Sequence, residues 1–139
     1  LSIPIVWNTG GYERTETLEQ LKGYVDIYLP DLKYYSSELS GKYSCAPDYF
    51  SFASRAVETM IRQTGTPVFA EEDGCSLMKK GVIIRHMVLP GHKDDSIKLL
   101  HWIHDHFPQH QYLVSLLSQY TPYTKNPDYP PVKPPDHFL

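Results

Sequence analysis

Asp31 and Lys33 stand two positions apart at the end of an apolar run, VDIYLP, at residues 25–30. On a strand, residues i and i+2 point to the same side. An acid and a base side by side at the C-terminal end of an apolar strand is the usual position of ligand chemistry in α/β proteins. GVIIRHMVLPG, at residues 81–91, repeats the design, with Arg85 inside the strand and a Pro-Gly turn after it. A buried strand that carries Arg usually has an anion or carboxylate to meet. Other strand ends supply Asn8, Thr9, Gly10 and Gly11, then Pro90, Gly91 and His92, then Ser118, Gln119 and Tyr120. In a parallel sheet these ends converge on one rim. There Asp31 can accept from a ribose hydroxyl or an amine, and Lys33 and Arg85 can hold a carboxylate or phosphate. The glycines let a ligand approach the backbone. A structural ion-pair network of Asp31, Lys33 and Arg85 would explain the charges but not their gathering at strand ends, so the ligand reading is preferred.

Other reactive residues carry less. In HWIHDHFPQH, His101 and His104 have a possible ligand spacing. They fall on a helix body away from the rim, and no H-E-x-x-H pattern joins them. A solvated or helix-capping role is preferred, and no metal site or catalytic residue is assigned on this chain. Cys45 and Cys75 lie in expected loops without metal-type spacing and read as free thiols of a cytoplasmic protein. The EED at 71–73 reads as a solvated turn.

The elements that place these residues follow from periodicity. Residues 3–7 read as a strand, 15–21 as a short helix with Thr17 and Gln20 available for capping, and 25–30 as a strand. Pro47 suits the first turn of a helix, in which Tyr49, Phe52, Ala53, Ala56, Val57, Met60 and Ile61 repeat at helical spacing and Gly65 ends the run. Residues 66–80 read as a loop or hairpin arm and 81–89 as a strand. A helix starts at Asp94 or Asp95 with Ile97, Leu100, Ile103 and Phe107 on its apolar face, and Pro108 ends it. Residues 112–117 form the last strand. Alternating strands and helices imply parallel strands with right-handed crossovers. Four strands suit an open α/β sheet or part of a (β/α) barrel. This unit occupies 1–120. Residues 121–139 carry six of the twelve prolines and read as an extended tail.

Composition bounds the class. The 139 residues suffice for one domain, with 41% hydrophobic and 21% charged residues and a net charge of −3. No Lys/Arg cluster argues for nucleic acid. The apolar runs are too short to cross a membrane, and no signal peptide is visible. The chain opens on a strand-like run with Leu1 rather than Met, which reads as a fragment or trimmed chain.

NTGGYE (8–13), VDIYLPDLKYY (25–35), GVIIRHMVLPG (81–91), DDS (94–96) and LLSQY (116–120) together resemble radical S-adenosylmethionine proteins. The resemblance is to the pyruvate formate-lyase activating enzyme and its uncharacterised homologues, and it runs in matching order from Ile3 to Tyr123. It implies the C-terminal portion of a partial (β/α)6 barrel. It also implies a 4Fe–4S cluster held by Cys-x3-Cys-x2-Cys, and S-adenosylmethionine cleaved to a hydrogen-abstracting 5′-deoxyadenosyl radical. A glycyl-radical enzyme is the implied partner, with a flavodoxin- or ferredoxin-type electron donor. Asp31 and Lys33 resemble the family's DLK pair at S-adenosylmethionine, Arg85 resembles the Arg of its R-x-x-x-x-P-G strand, and Asn8 and Thr9 resemble the ribose-side strand end.

The chain also departs from the family. The cysteine triad and the Gly-Gly-Glu segment are absent, Cys45 and Cys75 fall elsewhere, and Gln119-Tyr120 stand where the family has a His. The Pro-rich ending also differs from the family pattern. The expectation is therefore the C-terminal part of a longer radical enzyme, inactive and without bound cofactor by itself. Two alternatives stand beside it: a non-catalytic half-barrel binding module, and a barrel lyase using Lys33 as a Schiff-base amine. An open half-barrel is expected to self-associate.

Overall fold

A computed structural model describes residues 3–120. The Pro-rich segment 121–139 lies outside the described residues. The described residues form five strands, β1 (Val6–Thr9), β2 (Ile27–Pro30), β3 (Val68–Glu72), β4 (Cys75–Met87) and β5 (Leu113–Leu117), and four helices, in the order β1, α1, β2, α2, α3, β3, β4, α4, β5. The helices are α1 (Thr15–Leu21), α2 (Ser37–Ser44), α3 (Tyr49–Thr64) and α4 (Lys93–His106). β1, β2, β4 and β5 form a parallel sheet in that spatial order. The register aligns Asn8 with Leu29, Tyr28 with Val82 and Arg85 with Ser115. β3 pairs antiparallel with the first half of β4.

Side-chain alternation along β4 divides the sheet into two unlike faces. Val82, Ile84 and His86 are buried on the face that the helices cover. They pack with Leu18 of α1, Ala53, Val57 and Met60 of α3, and Leu99 and Ile103 of α4. Ile83, Arg85 and Met87 stand on the opposite face, where no helix of the described residues lies. By register Val6 and Leu113 share that face, and they are 49% and 40% exposed. The architecture of the described residues is thus mixed α/β, with a parallel sheet and helices on one side only.

Several expected boundaries move. The first strand begins at Val6 rather than Ile3: the Ile5 carbonyl accepts the Ile27 N–H at 3.1 Å, but the Ile5 N–H turns aside to the Asp26 carboxylate at 2.8 Å. The second begins at Ile27 rather than residue 25. α1 spans the expected residues, but Arg14 occupies its N-cap without a side-chain bond, so Thr17 and Gln20 do not cap it. α3 starts two residues after Pro47, and Gly65 closes it by donating its N–H to Ile61 O at 2.8 Å. Residues 66–80 form the hairpin arm: Asp73 and Gly74, with φ of 52° and 78°, make a two-residue turn whose positive φ matches strand twist. Glu71 and Glu72 therefore belong to β3, and Cys75 opens β4 rather than lying in a loop. α2, a polar helix capped by the Ser36 hydroxyl, was not expected.

The apolar face of α4 is corrected at one position. Ile103 and Phe107 are buried and Leu100 packs against the core as expected, whereas Ile97 is 43% exposed and the buried face takes in Ser96 and Leu99 instead. His86 sets this rotation, since its Nε2 lies 2.8 Å from the Ser96 hydroxyl and holds that side of the helix against β4. Among the described residues no helix is long and apolar enough to cross a membrane.

Candidate functional site

The C-terminal ends of β1, β2 and β4 bring Asn8, Asp31 and Arg85 into one hydrogen-bonded group. Asp31 lies directly beside Arg85 as the last bridge between their strands. Arg85 Nε donates to Asp31 Oδ1 at 2.9 Å, and one terminal nitrogen lies 2.7 Å from the same oxygen. That terminal nitrogen also donates to Asn8 Oδ1 at 2.8 Å. The guanidinium is thereby oriented side-on across three strands, and its charge is matched by Asp31. Both contacts fall on Oδ1, which leaves Asp31 Oδ2 available to a further partner.

A cavity of about 410 Å³ opens over this group, lined by Asp31, Lys33, Tyr34, Arg85, Met87, Leu89 and Leu117. Lys33 is exposed, and no ion pair or hydrogen bond engages its ammonium among the described residues. The site therefore holds a compensated Asp31–Arg85 pair, an uncompensated cation and an apolar wall. Such a mixture suits a ligand with one anionic group and an apolar body.

The segment carrying Asp31 and Lys33 lies beyond the regular part of β2, yet four elements fix its backbone. Asp31 N–H donates to Thr9 O at 2.8 Å and Leu32 N–H to Arg85 O at 2.9 Å. Buried His86 approaches Leu32 O through Nδ1 at 2.7 Å. Lys33 N–H donates to the Tyr49 hydroxyl at 3.0 Å. Further along, the Asp95 carboxylate of α4 accepts from Tyr35 N–H at 3.0 Å and Ser36 N–H at 2.9 Å. Backbone donors held in this way present the side chains of the segment in a fixed geometry.

The β1 turn is equally constrained. Gly11 has φ of 81°, and a Cβ there would stand 2.1 Å from Asp31 O. Only glycine combines that conformation with so close a backbone approach. Thr9 is buried, with its hydroxyl donating to Glu13 at 2.7 Å and accepting from Gly11 N–H at 3.2 Å. It holds the turn and does not line the cavity. Gly10 lies close to the ammonium, since a Cβ on it would sit 3.9 Å from Lys33 Nζ.

The remaining candidates separate from this group. Gln119 is exposed, two residues past β5, and is not part of the cavity wall. His92 occupies the N-cap position of α4 without a side-chain capping bond, and its Nε2 lies 2.9 Å from the Tyr43 hydroxyl. His101 and His104 are exposed on α4, with His104 paired to Asp105. Tyr49, His86 and Asp95 are the residues that sequence reasoning missed at the site. Tyr49 and His86 lie within hydrophobic stretches that read as core, and nothing local in the sequence says where their polar atoms point. Burial raises the Tyr49 phenol above the ordinary tyrosine range, nearby Asp31 adding to the effect, so its hydroxyl remains a donor.

The cysteines do not fit the iron–sulfur cluster implied by the resemblance. Cys45 caps α2, Cys75 opens the hairpin strand, both are exposed, and neither lines the cavity.

The chain is 31% identical over 132 residues to an uncharacterized protein of Methanocaldococcus jannaschii, covering 94% of this chain and 33% of that protein. It thus spans about a third of the length of the curated relative it matches. No family model matches the chain, and no solved structure matches it.

Proposed function

We propose that this chain is the S-adenosylmethionine-facing part of a radical enzyme similar to the pyruvate formate-lyase activating enzyme. In this reading the parallel sheet is the C-terminal portion of a (β/α)6 barrel. The observation that carries it is the Asn8–Arg85–Asp31 group with Lys33 beside it, on one rim of parallel strands. The uncovered sheet face, which a barrel would turn inward, supports the same reading.

The residues divide the work. Lys33 supplies the positive charge for a ligand carboxylate, because Arg85 is already compensated. Asp31 Oδ2 accepts from a ligand amine or hydroxyl. Arg85 orients Asp31 and Asn8. Met87, Leu89 and Leu117 give the apolar part of the ligand a dry wall. Beside a 4Fe–4S cluster held by another part of the protein, bound S-adenosylmethionine supplies one-electron hydrogen-abstraction chemistry. A glycyl-radical enzyme is the proposed recipient and a flavodoxin- or ferredoxin-type protein the proposed donor. The chain alone is expected to be inactive.

The test is to read the coding sequence upstream of Leu1 and assay the encoded longer protein anaerobically. A Cys-x3-Cys-x2-Cys loop in frame and release of 5′-deoxyadenosine from S-adenosylmethionine are expected. A frame without that triad would replace the enzyme reading with a half-barrel binding module.

A further inference from the structure

Tyr49 begins α3, not any strand of the rim, yet its hydroxyl reaches two separate strand ends. It lies 2.9 Å from Gly10 O and 2.9 Å from Asp31 O, and accepts the Lys33 N–H at 3.0 Å. A phenol has one proton to donate and lone pairs to accept, so one buried oxygen serves both the β1 turn and the β2 extension. The ring is only 3% exposed and is held by Tyr12 and Tyr34, whose centroids lie 5.9 and 5.6 Å away. The hydroxyl therefore has no room to leave. Gly11 presses against the same point, since a Cβ on it would stand 3.2 Å from the Tyr49 oxygen.

We propose that Tyr49 is a positioning residue for the rim, its hydroxyl fixing Asp31 and Lys33 relative to the Gly10–Gly11 turn so that both meet one ligand. The local clamp stands on the hydrogen bonds alone. Its consequence for affinity rests on the S-adenosylmethionine reading above.

Tyr49→Phe keeps the ring and removes only the hydroxyl. Thr64→Val, which deletes another buried hydroxyl of α3 remote from the rim, controls for general loss of stability. Amide exchange at Lys33 and calorimetric titration with S-adenosylmethionine are measured on the longer protein. Tyr49→Phe is expected to speed exchange at Lys33 at least tenfold and weaken the ligand at least tenfold, with Thr64→Val changing neither. Affinity within twofold of the parent in Tyr49→Phe would overturn the positioning role. If the parent itself binds no S-adenosylmethionine, the ligand reading falls, and the exchange contrast alone decides the clamp. Equal exchange in the two variants would then overturn it.

Discussion

Arg85 is expected to meet an anion or a carboxylate, and the carboxylate it meets is that of Asp31 in the chain itself, as in the ion-pair alternative. The side chains of Arg85 and Asp31 are 31% and 29% exposed, so the pair is partly desolvated. Removing one member leaves the other charge half-buried without its partner, which typically costs about 1–3 kcal/mol. Arg85→Met should therefore lose about that much stability, and adding Asp31→Asn should return part of it. A chemical-denaturation cycle with no coupling between the two positions would show that the pair is not a structural unit. Gly11→Ala should cost at least about 2 kcal/mol, because left-handed backbone and a clash with Asp31 O combine there. An unchanged denaturation midpoint would contradict the close approach of the two loops. The rim charges were legible because apolar strands rarely end in Asp and Lys or enclose Arg. Their division into a compensated pair and a separate cation was not, because it depends on register between strands far apart in sequence.

Among the elements, the parallel strands and the long helices were visible in their hydrophobic runs, to within a few residues at the ends. α4 shows where periodicity misleads. Leu100, Ile103 and Phe107 of the expected stripe do face the core, but its first member Ile97 does not, and the serine at 96 hides the true start of the buried face, Ser96 and Leu99. Buried His86 turns Ser96 rather than Ile97 inward by engaging the Ser96 hydroxyl. Leu99→Ala should accordingly cost about 2–5 kcal/mol, as for a truncated core leucine. Ile97→Ala should cost under about 1 kcal/mol, as at a surface site. Thermal unfolding that ranked them in the opposite order would refute the observed rotation of the helix. α2 was invisible for a different reason: SELSGKYS has no apolar stripe, and its place is set by Ser36 and by Asp95 from another element. The hairpin turn at Asp73-Gly74 was readable as a strong local signal, but the acidic run around it obscured the strands.

At the scale of the whole molecule, the sheet has helices on one side only among the described residues. Val6, Met87 and Leu113 are exposed on the other side, and Val114 and Leu116 are exposed along β5. Apolar surface at sheet edges and faces favours association. The isolated chain should self-associate with rising concentration in light scattering and bind dyes that report exposed apolar surface. A strictly monomeric, dye-silent chain would show that this face needs no cover. The same uncovered face carries the cavity and its charges, so the sheet that is open to further protein is also open to ligand.

The most direct test of the ligand reading is calorimetric titration with S-adenosylmethionine of the protein encoded by the full reading frame, comparing the parent with Lys33→Ala. Loss of a charge-assisted contact should weaken binding by about 1.5–3 kcal/mol, or roughly 10- to 150-fold, with the fold intact. Equal affinity in parent and variant would remove Lys33 from the site and contradict the assignment of this rim to S-adenosylmethionine.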